Sequence, residues 1–356
     1  MQYIKIGYLK IPCEVRSEGN KKILKIFGFK LPFYEYKDSC GQKYYKILGV
    51  KLKSDFKGKI FLSRRKLNFQ NRDVWEDKDI RKMAEKIFME KLGYEPDFDN
   101  PKTMNEKIFW MKLNYHDPLV TTCCDKFRVK EYVRRKIGEG LTVPVIDSFE
   151  SADDIDFDRL PDRFVLKVNW SSGFNIIVKD KNELDRQKTK EKLDKWLRPE
   201  QNSYYQAFNW GYKDMKPVIY AEEYIEQIDG QLYDYKFYCC NGKAKFLFVS
   251  TDRFSGDGVT YDFFDMDFNR LALTYGGRLN SAEPLKKPQS FDEMIKYAEI
   301  LAQPFPFVRV DFYEIEGRPY VGEMTFYSGG GILPFEPVSW DYKLGEYIQL
   351  PIEKYG

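Results

Sequence analysis

Phe307-Val-Arg-Val-Asp-Phe312, returning through Tyr320-Val-Gly-Glu-Met324, is the stretch on which the fold turns. Its alternation is that of a half-buried strand. Val308, Val310 and Phe312 point to one face, Arg309 and Asp311 to the other. If an odd number of residues joins the two strands, Asp311 and Glu323 stand opposite each other on one face; an even number separates them. Facing carboxylates about 5 Å apart repel each other. A cation relieves the repulsion, and hard oxygen ligands select Mg²⁺. On that reading, removing one carboxylate leaves the metal-free fold at least as stable.

Outward from this hairpin, short strands dominate from residue 218, punctuated by Asp229-Gly230, Asn241-Gly242 and Glu316-Gly317. Asn-Gly and Asp-Gly are tight-turn signals. Further back, Phe164-Val-Leu-Lys-Val168 and Asn175-Ile-Ile-Val178 read as strands around a Trp170-Ser-Ser-Gly173 turn. Helical periodicity marks 79–92, 125–137, 181–196 and 291–301. Thr103-Met-Asn-Glu106 has the spacing of a capping box for the helix carrying Ile108, Phe109, Met111 and Leu113. The class is α+β.

The 356 residues suggest more than one domain. A single histidine, His116, argues against Ser-His-Asp triads and multi-His zinc sites. Chemistry must then rest on Lys, Arg, Asp, Glu and backbone groups. The six cysteines form no CxxC and no evident disulfide framework, no run is long enough for a membrane span, and the first residues lack a signal-peptide core. These features point to a reducing cytoplasm. Net charge is +3, yet residues 1–73 hold 18 Lys+Arg against 6 Asp+Glu, and the remainder 40 against 49. The basic stretch repeats: Tyr3 to Pro12, Ile23 to Pro32 and Tyr44 to Lys53 each alternate around a glycine, as a strand, a turn and a strand. It reads as a basic β-hairpin arm, either a plain surface array or a contact for an anionic membrane or acidic polymer. No nucleic-acid motif accompanies the charge, so no nucleic acid is expected.

Three other segments carry chemistry. Lys167 interrupts an apolar strand just before Ser171, Ser172 and Gly173, a turn small enough for backbone N–H groups to approach phosphate; the plain alternative is an edge lysine. Glu222 and Glu223 end the strand Val218-Ile-Tyr-Ala-Glu-Glu-Tyr-Ile225, and on a strand only one of them faces a site. Asp265-Met-Asp267 has the DxD form of sugar-nucleotide transferases, but amid Phe263, Phe264 and Phe268 it reads as a polar turn.

The order Asp125-Lys126, Lys167 before a small-residue loop, Glu222-Glu223, Asp234-Tyr-Lys236-Phe, Val-Arg309-Val-Asp311 and Gly-Glu323 resembles the ATP-grasp superfamily. Residues 75–352 resemble its teichuronopeptide-biosynthesis (TupA-like) branch, through Asn100-Pro-Lys-Thr-Met-Asn-Glu-Lys107, Phe307-Val-Arg-Val-Asp-Phe-Tyr313, Gly322-Glu-Met-Thr-Phe-Tyr327 and Trp340-Asp-Tyr-Lys-Leu-Gly345. The resemblance implies an ATP-grasp fold behind the basic arm. Its parts would be the arm at 1–73, a mainly helical part at 74–160, a nucleotide lid at 161–225, and an antiparallel-sheet part with a Mg²⁺ site at 226–356.

The resemblance also implies residue roles. Lys126 and Lys167 would hold ATP phosphates under a lid of Ser171, Ser172 and Gly173. Glu222 and Glu223 would lie at the hinge beside adenine and ribose. Asp311, Glu323 and Thr325 would hold Mg²⁺; Thr325 stands where the superfamily often has Asn. Arg309 and Lys236 would be catalytic, steadying the transferred phosphoryl group or the carboxylate. The implied reaction is ATP-dependent carboxylate–amine ligation through an acyl phosphate. It would modify a uronic acid or acidic polymer of capsule or O-antigen, in the cytoplasm or at the inner face of the membrane. A glycosyltransferase or polymer-binding module of the same pathway is the alternative, which the 17% aromatic share would suit.

Overall fold

In a computed structural model, the residues described are 77–170, 172–225, 233–251 and 259–355, preceded by strand backbones within 2–62. The chain divides into two units, Met1–Asn71 and Arg72–Gly356.

The first unit contains β1 (Gln2–Ile6), β2 (Leu9–Glu18), β3 (Lys21–Ile26), β4 (Phe29–Lys37), β5 (Lys43–Ile47), β6 (Val50–Ser54) and β7 (Ile60–Leu62). Each repeat forms one antiparallel pair, its last rungs being Ile6 with Leu9, Ile26 with Phe29 and Ile47 with Val50. A parallel pairing of β1 with β7 closes the set into a barrel. Closure removes the two free strand edges that an open array would leave. The basic side chains expected to meet an anionic surface lie outside the described residues.

The second unit begins with helices: α1 (Asp77–Lys91), α2 (Met104–Asn114), α3 (Pro118–Cys124) and α4 (Val129–Ile137). The capping box forms. Glu106 N–H donates to Thr103 Oγ1 at 3.1 Å, and Thr103 N–H donates to Glu106 Oε2 at 2.9 Å. Nearly all of α2 is buried, and it is pinned by Asp341, which accepts from Asn105 N–H and Nδ2 at 3.0 and 2.8 Å. The helix expected from residue 125 starts at Val129, because the Asp125 carboxylate accepts from Phe127 and Arg128 N–H and folds 125–128 into a turn.

A four-stranded sheet follows, from β8 (Val145–Phe149), β9 (Phe164–Val168), β10 (Asn175–Val178) and β11 (Ile219–Glu223), in the order β10-β9-β11-β8. Between β10 and β11 lie α5 (Arg186–Leu197) and α6 (Ser203–Ala207). The helix expected at 181–196 is split: Lys181–Glu183 is a 3-10 turn, and Asp185 caps a fresh start by accepting from Lys188 N–H.

The second sheet runs β15-β14-β13-β12-β17-β18 and is antiparallel throughout. Its strands are β12 (Asp234–Cys240), β13 (Lys243–Thr251), β14 (Thr260–Phe264), β15 (Arg270–Leu271), β17 (Phe307–Ile315) and β18 (Arg318–Thr325). Asn241-Gly242 turns between β12 and β13 with both residues at positive φ (50° and 74°), as a two-residue hairpin of this kind requires. The Asp229-Gly230 turn lies outside the described residues. α7 (Phe291–Ala302) covers one face, with Phe291 against Phe237 and Phe237 edge-on to Phe312. All of β12 is buried, as a central strand covered on both faces should be. The unit is completed by the small pair β16 (Thr274–Tyr275) and β19 (Phe335–Glu336), then α8 (Ser339–Gly345) and α9 (Ile352–Tyr355). No helix among the described residues is long and apolar enough to cross a membrane.

Candidate active site

β17 behaves as its alternation dictates. Val308, Val310 and Phe312 are fully buried beneath α7, and Arg309 and Asp311 take the opposite face. The joining turn, Glu316-Gly317, has two residues, since Ile315 pairs with Arg318. That even number alone would place Glu323 on the core face. A bulge restores the pairing: Phe312 faces Val321, Asp311 faces Glu323, and Gly322 is the extra residue between. A side chain at 322 would press on the Tyr313 ring, with Cβ 2.9 Å from Cε2, which explains the glycine.

Both carboxylates are met by protein cations. Arg309 Nε and Nη2 donate to the two oxygens of Asp311 at 2.6 and 2.7 Å. The same Nη2 reaches Glu323 Oε1 and Thr325 Oγ1, each at 3.0 Å. Lys236, from β12, pairs with Asp311 and, at 2.6 Å, with Asp234. Lys126 pairs with Glu323 Oε2 at 2.9 Å. This corrects the repulsion argument: the cation between the acids is Arg309. Burial pushes the Glu323 carboxyl up, but Lys126, Lys236 and Arg309 outweigh it and hold it well below the usual range. The Arg309 guanidinium is raised, Asp311 and Glu323 prevailing over burial.

A second cluster sits on the four-stranded sheet. Lys167 is interior rather than at an edge, since β9 lies between β10 and β11, with Asn175 and Tyr220 as its neighbours. This excludes the edge-lysine alternative. Lys167 pairs with Glu222, which is buried. Lys130 pairs with the other oxygen of Glu222 at 2.6 Å. Burial raises the Glu222 carboxyl, yet the two lysines bring it below its ordinary value. The neighbouring Glu223 is exposed on the opposite face, away from this cluster.

The turn before α4 joins the clusters. Asn169 Nδ2 donates to Asp125 Oδ2 at 2.8 Å and to the Lys216 carbonyl at 2.9 Å, while Val218 N–H donates to Asn169 Oδ1 at 2.9 Å. The end of β9, the approach to β11 and the start of α4 are thereby locked together. Lys126, in the turn, and Lys130, in the first turn of α4, then reach carboxylates on different sheets. Sequence reasoning passed over both Lys130 and Asn169.

Past Thr325 the chain enters Ser328–Gly331, whose three glycines all have positive φ. Ser328 Oγ accepts from Arg309 Nη1 at 3.3 Å and shares a 2.6 Å hydrogen bond with the Tyr238 hydroxyl. Lys112 pins the loop by donating to the Gly330 carbonyl at 2.6 Å and to that of Ala207 at 3.0 Å; burial lowers its ammonium pKa to about 7. His116 stacks on Trp210. Of the expected lid, Ser172 and Gly173 are exposed and Ser171 lies outside the described residues.

Among the described residues no group of three or more His, Cys, Asp and Glu side chains could hold a metal. Asp311, Glu323 and Thr325 nevertheless converge on one cationic atom, Arg309 Nη2, within 3.0 Å of an oxygen from each. This all-oxygen set suits a hard divalent cation such as Mg²⁺.

A family model described as TupA-like ATPgrasp matches residues 106–349. No curated protein matches the chain. Among solved structures, D-alanine–D-alanine ligase from Bacillus anthracis in complex with ATP is similar at 16% identity, with 58% of this chain and 55% of that chain covered and a TM-score of 0.35. L-amino acid ligase from Bacillus licheniformis gives 15% identity, 72% and 57% coverage and a TM-score of 0.41. An ADP complex of N5-carboxyaminoimidazole ribonucleotide synthetase gives 13%, 62%, 50% and 0.37. The chain thus spans about half the length of these proteins.

Proposed function

The chain belongs to the TupA-like ATP-grasp family, and from that premise we propose that it is an ATP-dependent carboxylate–amine ligase. The observation that carries the reading is the nine-residue charge constellation. Lys126, Lys130, Lys167, Lys236 and Arg309 face Asp234, Asp311, Glu222 and Glu323 without a histidine. A transferring phosphoryl group is mostly charge, so positioned cations suffice to stabilise it.

In this reading Lys126 and Lys167, each partly exposed, turn from their carboxylates to the phosphates. Arg309 and Lys236, held by Asp311 and Asp234, face the γ-phosphoryl group as the substrate carboxylate attacks it. The products of that step are an acyl phosphate and ADP; an amine then displaces phosphate to leave the amide. Asp311, Glu323 and Thr325 would hold Mg²⁺, which when bound supplies further neutralisation of phosphate charge. Ser172 and Gly173 remain the proposed lid. Glu222 is proposed to support Lys167, and Glu223 to contribute at the hinge through its backbone.

The family likeness supports a uronic acid or acidic surface polymer as the acid, and an amino acid or amine as its partner. The Asp265 carboxylate accepts from its own turn, from Asp267 and Asn269 N–H at 3.0 and 2.8 Å, which supports reading Asp265-Met-Asp267 as a turn rather than as the metal motif of the sugar-transfer alternative. Thermal shift with Mg²⁺ and ATP or UDP-sugars tests the reading. Stabilisation by ATP, followed by release of ADP and phosphate on adding acid and amine, is expected; a shift with UDP-sugars alone would overturn it. For residues 1–73 we propose contact with an anionic membrane or acidic polymer, supported by 18 basic against 6 acidic residues. Sedimentation with anionic vesicles should weaken steeply once salt shortens the Debye length below about 10 Å; no sedimentation at low salt would remove the proposal.

A further inference from the structure

Glu222 holds two ammonium groups, and the two are not equivalent. Lys130 donates to Glu222 Oε1 and also to the Val143 carbonyl, both at 2.6 Å, and its side chain is 15% exposed. Lys167 has Glu222 as its one ionic partner among the described residues and is 26% exposed, at the end of β9 beside the Ser172-Gly173 turn. One lysine is anchored at two points; the other is tethered at one, next to the proposed phosphate loop.

We infer that Lys130 is the resident counter-ion of Glu222, a positioning residue that lets Lys167 leave that carboxylate for nucleotide phosphates. The inference rests on the nucleotide reading above. A buried carboxylate stripped of its last cation is strongly unfavourable, and that penalty would be subtracted from ligand affinity. With Lys130 in place, Glu222 keeps one partner throughout the transfer. The other sheet repeats the arrangement: when Lys126 leaves Glu323, Arg309 remains on it. Burial holds the Lys130 ammonium below its ordinary value, and Glu222 offsets part of that shift.

Calorimetric titration of the full chain with Mg²⁺ and ATP provides the test. Lys130→Met should weaken ATP binding by about tenfold, because Lys167 then becomes the last cation on Glu222. Lys130→Arg should stay within about threefold of the wild type. In a Glu222→Gln background, Lys130→Met should cost less than about threefold, since a neutral amide places no such hold on Lys167. Equal losses in both backgrounds, or no loss in the wild-type background, would overturn the inference. If Lys130→Met alone does not fold, the Lys130→Met/Glu222→Gln pair should fold and bind ATP like Glu222→Gln; failure of that pair as well would make Lys130 scaffold only. A wild-type chain that binds no ATP would sink the nucleotide reading itself. A wild type that binds, with Lys130 variants unaffected, would sink this inference alone.

Discussion

The two sheets of the second unit handle buried acids in different ways. On the four-stranded sheet a single carboxylate, Glu222, lies between two lysines from separate elements. On the six-stranded sheet Asp311 and Glu323 share one guanidinium, which also holds Thr325 and Ser328. The lysine cluster can part pair by pair. The arginine cluster is a hub, in which one group's removal unpairs several others. The first arrangement therefore suits exchange with a ligand, and the second suits fixed geometry around a reacting centre.

Arg309→Met should expose that difference most strongly. It leaves Asp311 and Glu323 face to face with lysines only, and urea unfolding should show a loss of about 3–5 kcal/mol. If Lys167→Met destabilised the protein as much, the distinction between hub and exchangeable pair would fail.

Glu323→Gln sharpens the contrast. Because Glu323 is clasped by Lys126 and Arg309, the substitution should cost about 1–3 kcal/mol at neutral pH, against the gain expected from simple repulsion. Its carboxyl is depressed in the folded state, so its contribution is full above the unfolded value of about 4.3 and is lost as pH falls below that toward the folded value. The stability difference between wild type and Glu323→Gln should shrink across that acid range. A variant as stable as the wild type at pH 7 would restore the repulsion view.

Lys167→Met should have the smallest effect on the fold and a large one on the ligand. Lys130 still serves Glu222, so stability should change by less than about 1 kcal/mol. ATP affinity should fall at least about tenfold, as a charge-assisted phosphate contact is lost. An unchanged ATP dissociation constant would return Lys167 to a structural role.

Local signals in the sequence were reliable guides. Thr103 and Glu106 announced their helix, Val308 to Phe312 announced their core face, and Asp265 announced a turn. What stayed hidden depended on partners remote in the chain. Lys130 looks like any solvent-facing helical lysine until Glu222, from another element, is set against it. Asn169 looks like a loop residue until Asp125 and Lys216 close around its amide. The parallel pairing of β1 with β7 joins strands at opposite ends of the repeats, and no single repeat encodes it.

The extra residue at Gly322 gives β18 a change of phase. Pro319 and Val321 point to the core before it, and Met324 after it, so the inward positions switch from odd to even numbers within one strand. A strict two-residue template laid over 318–325 would bury Glu323 and expose Met324. The hairpin thus obeys a parity rule: the bulge and the two-residue turn each contribute one slip, and their combination brings the acids together. Relatives with a three-residue turn and no bulge would place the same pair opposite each other, at unchanged overall length. If Gly322 were instead paired with Asp311 across the same two-residue turn, Glu323 would stand opposite Val310, in the hydrophobic layer.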